Sequence, residues 1–203
     1  MSKKVFNSHK SRSLGRLKDS AGRLFTRYGI AKVSVEEICR DAHVSKMTFY
    51  RYFSNKIDIA KAILNQMMEQ GLVEYREIMD SDSPYPEKVA KIIHFKLEKT
   101  EGLGVEFVRE FLSSPYPELH RLAEEWTKKF NQILRDDFVL AQKEGHIRGD
   151  IKPDFLMYTI VQMRNWAADP ALTGQYASVS EMTIELVKLF YYGIMGESEE
   201  KEK

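Results

Sequence analysis

Two helix starts only eleven residues apart constrain this chain more than anything else in it. Ser34-Val35-Glu36-Glu37 has the form of a capping box: the Ser34 hydroxyl accepts from the Glu37 amide, and the Glu37 carboxylate reaches back. Ser45 is a second good cap. The first start opens a short helix to about Ala42, with Val35, Ile38, Cys39 and Ala42 facing inward. The second opens a helix through Lys46-Met47-Thr48-Phe49-Tyr50-Arg51-Tyr52-Phe53. Only the tight turn Ala42-His43-Val44 separates them. Two short helices joined in this way form a helix-turn-helix, in which the second helix enters the major groove of DNA.

A groove about 12 Å wide accepts one α-helix, so that helix must be polar outside and apolar inside. Val44, Phe49 and Phe53 supply the inner side. Ser45, Lys46, Met47, Thr48, Tyr50 and Tyr52 are assigned outward. Lys46 can donate to guanine or phosphate, and Ser45 and Thr48 to phosphate or a base edge. Met47 can meet a thymine methyl, and the tyrosine hydroxyls suit phosphates. Lys56, after a cap at Asn55, is expected to clamp phosphate at a helix N-terminus. Ser34 and Val35, opening the first helix, complete the expected contact set. An ordinary helical hairpin with its aromatic run in the core fits the same residues. The charge distribution favours DNA: residues 1–60 carry 13 Lys and Arg against 5 Asp and Glu, whereas residues 61–203 carry 18 against 25. A basic head on an acidic body points to a polyanion partner for the head alone.

The stretch Ser34–Lys56 also resembles the N-terminal signature of TetR-type regulators, with its turn, its Tyr-x-Tyr/His-Phe run and the lysine that follows. The resemblance covers about residues 11–60. It implies an all-α fold: a three-helix DNA-binding domain, here 1–55, and a larger effector-binding and dimerisation domain, here 56–203. It also implies dimerisation through the last two helices. Two departures stand out. His43 occupies a position usually held by Gly, which predicts a left-handed backbone there rather than a metal ligand. Met47 occupies a position that is often small, so an operator sequence does not carry over from relatives.

Helical periodicity continues throughout, giving about nine helices. The first is placed at Ser11–Tyr28 and stopped by Gly29, with residues 1–10 and 197–203 expected to be disordered. Later helices fall at about 55–75, 86–100, 105–113, 117–144, 153–168 and 179–194, the last opened by a second capping box at Ser178-Val179-Ser180-Glu181. In the pair 153–168 and 179–194, Phe155, Tyr158, Gln162, Leu186, Phe190 and Gly193 form the expected homodimer interface. Together with neighbours such as Leu156 and Leu189, they offer more apolar surface than a lone helix pair can bury. Capping the core of a monomer is the competing role.

The body is rich in Met and aromatic residues, and ligand pockets are mostly apolar. Met67, Phe95, Phe107, Phe111, Trp126, Phe130, Met163 and Trp166 are the candidate lining for a small hydrophobic effector, although each serves equally as core packing. His94, Arg109, Asn131, Gln162 and Asn165 are its candidate polar contacts. His9, His43, His94, His120 and His146 lack metal-ligand spacing, and the single cysteine, Cys39, reads as a small buried residue. No cofactor fingerprint or nucleophile elbow occurs, so no cofactor, metal or catalysis is expected. No apolar run is long enough for a membrane span, and nothing reads as a signal peptide, so a cytoplasmic protein is expected. The reading favoured is a sequence-specific regulator, a ligand-responsive homodimeric repressor on double-stranded DNA with a pseudopalindromic operator. A constitutive or partner-controlled DNA binder is the first alternative, and a helical enzyme or adaptor the second.

Overall fold

Caps and chain-breakers divide the protein much as their residue types dictate. A computed structural model describes residues 2–112 and 115–195, with side chains at 12–111, 115–167 and 169–195. Within these residues the helices are α1 Ser2–Tyr28, α2 Val35–Asp41, α3 Lys46–Tyr52, α4 Lys56–Met79, α5 Tyr85–Thr100, α6 Val105–Leu112, α7 Pro117–Lys143, α8 Pro153–Ala168, α9 Pro170–Thr173 and α10 Val179–Ile194. The fold is all-α, with one isolated bridge pair, Ile147 with Met195, in place of any strand among the described residues.

Two expectations require correction. Residues 2–10 are helical, so α1 starts nine residues before Ser11; no proline or glycine interrupts that stretch, and the i→i−4 ladder propagates along it. The expected disorder at 197–203 lies outside the described residues. Among the described residues there are ten helices against about nine expected, the four-residue α9 being the addition. Asp169 caps it, accepting from the Ala171 amide at 2.8 Å, and Pro170 occupies its first position. Four residues are too few to show a period.

The chain divides into two compact units, residues 1–70 with 102–123 and residues 71–101 with 124–203. That division falls inside α4 and α7 rather than at residue 55. The first unit's core takes Leu17, Ala21 and Phe25 from one face of α1. To these it adds Ile30, Ile38, Phe49, Phe53, Ile59, Ala60, Phe107 and Leu119. Burying each such side chain contributes about 1.5–3 kcal/mol, so the short α2 and α3 are held by this core rather than by their own propensity. The second unit packs Val89, Ile92 and Ile93 of α5 with Val187, Phe190 and Ile194 of α10. Phe138 of α7 meets Phe190 at 5.8 Å between ring centroids. Its main polar node is Asp137, which accepts from the Tyr75 hydroxyl at 2.8 Å and from Arg76 Nη1 at 3.0 Å.

Candidate nucleic-acid interface

The geometry of α2, the turn and α3 follows from satisfied backbone groups. The Ser34 box closes fully: the Glu37 amide donates to Ser34 Oγ at 3.2 Å, and the Ser34 amide to Glu37 Oε2 at 2.8 Å. Those bonds hold the Glu37 carboxyl below its ordinary range. At the far end of α2, the Val44 amide donates to Cys39 O at 2.9 Å and the His43 amide to Arg40 O at 3.2 Å. This is a Schellman closure, and it requires a left-handed residue at His43. His43 has φ 52°, as expected from its place in the turn. Ser45 then caps α3, accepting from the Thr48 amide at 3.2 Å and sharing a 3.0 Å hydrogen bond with the Thr48 hydroxyl.

This frame leaves α3 with a definite outer surface. Met47 is 77% exposed and Tyr50 57%. Ser45, Lys46 and Arg51 are exposed, and Thr48 is half-buried. Phe49 is fully buried, 5.4 Å from the Tyr50 ring in an edge-on contact. Tyr52 departs from the expected outward set: its ring is half-buried and packs on the core beside Phe53. Ser34 spends its hydroxyl in the capping box, and Val35 packs half-buried on the same core. The Lys46 ammonium pairs with Glu36 of α2. The contact raises the lysine and lowers the carboxylate relative to their ordinary values. Both groups are exposed, and such pairs contribute little, so Lys46 can exchange Glu36 for a phosphate. Burial pushes the Cys39 thiol up, away from the reactive thiolate.

The expected phosphate clamp at Lys56 is corrected by its surroundings. Its Nζ donates to the carbonyls of Ile30, Ala31 and Val33 at 2.9, 2.7 and 3.0 Å, which uses all three donors of an ammonium. The amides of the same turn are held from the other side. Glu110 of α6 is 9% exposed, and its carboxylate accepts from the Ile30 amide and, at 3.2 Å, from that of Ala31. The turn leading into α2 is therefore fixed between a buried anion and a partly buried cation. Gly29 enters it at φ 86°, and a Cβ there would stand 3.1 Å from Glu110 Oε1. Gly104 brings the start of α6 onto α1, its amide donating to Thr26 O at 2.7 Å. A Cβ on Gly104 would meet Arg27 O at 2.9 Å.

Glu110 was not foreseen from sequence. The available signal was a single buried-type position for an acid in the apolar run Val105–Leu112, together with turn amides that need an acceptor. Arg40 and Arg51, exposed in the last turns of α2 and α3, were also passed over. Their charge and helical position were readable.

The candidate effector lining divides between the two units. Met67, Phe107 and Phe111 lie in the first, where Phe107 is buried and the other two pack beside it. Met67 also flanks a cleft of about 250 Å³ with Lys18, Gly22 and Ile63. Phe95, Trp126, Phe130, Met163 and Trp166 lie in the second. There Phe95 and Trp126 are buried, Trp126 and Phe130 stand 5.9 Å apart, and Trp166 is 43% exposed. Of the polar candidates, His94 pairs with Glu98 and Arg109 with Glu106, while Asn165 donates to Gln162 at 3.3 Å.

Of the candidate dimer residues, Phe155 and Tyr158 of α8 are each 61% exposed, and Gly193 of α10 is also exposed. Gln162 and Leu186 are half-buried. Phe190 is a correction: it is buried within its own unit, between Phe138 and Tyr191. The outward residues of α10 are instead Leu189, 71% exposed, and Tyr192, 61%.

Residues 17–63 match the family model described as bacterial regulatory proteins, tetR family. Over 141 residues the chain is 23% identical to the HTH-type transcriptional regulator UidR of Escherichia coli strain K12, covering 68% of this chain and 69% of that one. Its fold is similar to that of the transcriptional regulator FadR of Bacillus subtilis, solved with stearoyl-CoA. That match has a TM-score of 0.68 at 20% identity and covers 88% of this chain and 98% of FadR. The regulatory protein TetR of Rhodobacter sphaeroides gives a TM-score of 0.69 at 19% identity, over 89% and 97% of the two chains. With the capped helix pair, the Schellman turn at His43 and the outward face of α3, these matches show that residues 17–63 are similar to the tetR family of bacterial regulatory proteins and that the chain has the fold of such regulators.

Proposed function

We propose that the protein is a homodimeric repressor that binds a pseudopalindromic operator and is released from it by a small ligand in the cytoplasm. The observation that carries this reading is the placement of apolar side chains in water on two helical surfaces. Met47 and Tyr50 project from α3, and Phe155 and Tyr158 of α8 project with Leu189 and Tyr192 of α10. Large apolar groups exposed together mark surfaces that meet a partner. Duplex DNA suits the first, whose neighbours Arg40, Lys46 and Arg51 are basic. A second copy suits the second, because a two-fold dimer pairs the same apolar surface of each copy.

A two-fold dimer presents two α3 helices to successive major grooves about 34 Å apart, so the operator mirrors the protein's symmetry. The FadR structure with stearoyl-CoA supports a small ligand as the signal in a chain of this fold. Such a ligand releases DNA only by binding one conformation better than the other, and each tenfold preference is worth about 1.4 kcal/mol. Selection of sites from a random duplex pool tests the reading. Enrichment of inverted half-sites about one helical turn apart is expected, and enrichment of a single asymmetric half-site would overturn it.

A further inference from the structure

Arg164 of α8 is half-buried, and among the described residues its one hydrogen bond runs from Nη1 to the hydroxyl of Thr127 on α7 at 2.7 Å. A guanidinium carries five N–H donors, so most of its capacity is unspent. No carboxylate lies within ion-pair distance of it among the described residues. Two other partly buried cations are compensated, Lys56 by three carbonyls and Arg76 by Asp137. Burial alone holds Arg164 below its ordinary value, whereas a nearby anion would have raised it. Charges partly withdrawn from water are ordinarily paired, and no described residue of the chain supplies that anion.

The surroundings give the rest of that group's character. Phe130 lies three residues beyond Thr127 on the same face of α7 and is 5.9 Å from Trp126. Ile160, one turn before Arg164 on α8, packs against the apolar core of the unit. A guanidinium flanked by half-buried apolar side chains of α7 and α8 suits a molecule that is anionic at one end and apolar along its body.

We propose that Arg164, steadied by Thr127, anchors the carboxylate or phosphate headgroup of an amphipathic anion whose apolar part lies along α7 and α8 beside Phe130 and Ile160. The assignment rests on the ligand-responsive reading above and gives that ligand its charge. It also adds a residue absent from the polar contacts expected from sequence.

The test measures binding of decanoate to the full-length protein by calorimetry, with decanol and decyltrimethylammonium as neutral and cationic controls. Wild type, Arg164→Met and Arg164→Lys are compared, with helix content and sedimentation checked for each. Decanoate is expected to bind wild type at least tenfold tighter than decanol. Arg164→Met should lose that tenfold while keeping its decanol affinity, and Arg164→Lys should recover part of it. The inference is overturned by absence of decanoate binding, by equal binding of decanoate and decanol, or by an Arg164→Met protein that binds decanoate as wild type does. It is also overturned if Arg164→Met dissociates the dimer, because a carboxylate of the second copy is then the missing anion. Operator binding separates the two readings. Decanoate bound through Arg164 with operator affinity unchanged keeps the anion site and defeats ligand-controlled release. Equal release of wild type and Arg164→Met by a ligand does the reverse.

Discussion

The ammonium of Lys56 sits where three carbonyls converge, and in that position its donors are not available to a phosphate as well. Its contribution to DNA binding therefore runs through the turn it fixes. Replacing it by Met leaves three carbonyls short of a donor and should cost about 1–3 kcal/mol of stability. Operator affinity should fall with it, yet the slope of log affinity against log salt should stay the same. A direct phosphate contact would instead flatten that slope by about 0.9. Denaturation and a salt titration of Lys56→Met distinguish the two. His43 shows the opposite balance. A left-handed backbone costs an ordinary residue roughly 1–2 kcal/mol, and the Schellman bonds through Val44 and His43 hold it there. Its strangeness in sequence thus has a local cause that residue type and turn position make readable.

At the scale of the helix, the apolar strip of α8 and α10 is the surface most open to attack by mutation. Leu189→Asp places a charge at a position 71% exposed in the isolated chain, so the fold should survive with its helix content intact. Burying that charge across a dimer should weaken association by at least 2 kcal/mol, about 30-fold. Sedimentation of Leu189→Asp against wild type measures it, and an unchanged association constant would place the dimer elsewhere. This strip also shows what sequence discloses about a helix. Starts and stops are local, so Ser34, Ser45, Asn55, Ser178 and Gly145 mark them in the residues alone. Which side faces inward is not local when apolar residues surround the helix. Phe190 and Leu189 are neighbours of similar apolarity. Contact with Phe138 and α5, distant in sequence, buries the first and leaves the second outward.

For the molecule as a whole, the long-range relation hardest to foresee is that between Glu110 and the Ile30 turn, 80 residues apart. The charge asymmetry and the capped helix pair announce a basic head in the first 60 residues. They do not show that residues 102–123 complete that head through Glu110, Gly104, Phe107 and Leu119. A cut at residue 55 follows the motif, whereas the physical unit follows the core. The outer face of α3 was more legible, because periodicity and the resemblance agreed on it. Tyr52, like Thr48, is half-buried rather than fully outward, its ring beside Phe53. We propose that this outer face reads DNA sequence while the rest of the head holds it in place. The most direct measurement is the ratio of operator to scrambled-duplex affinity at one fixed salt concentration, for wild type, Met47→Ala and Thr48→Ala. Each substitution should lower the ratio about 5- to 150-fold, equivalent to 1–3 kcal/mol of lost discrimination. Non-specific affinity should hold. An unchanged ratio in both variants would contradict the claim.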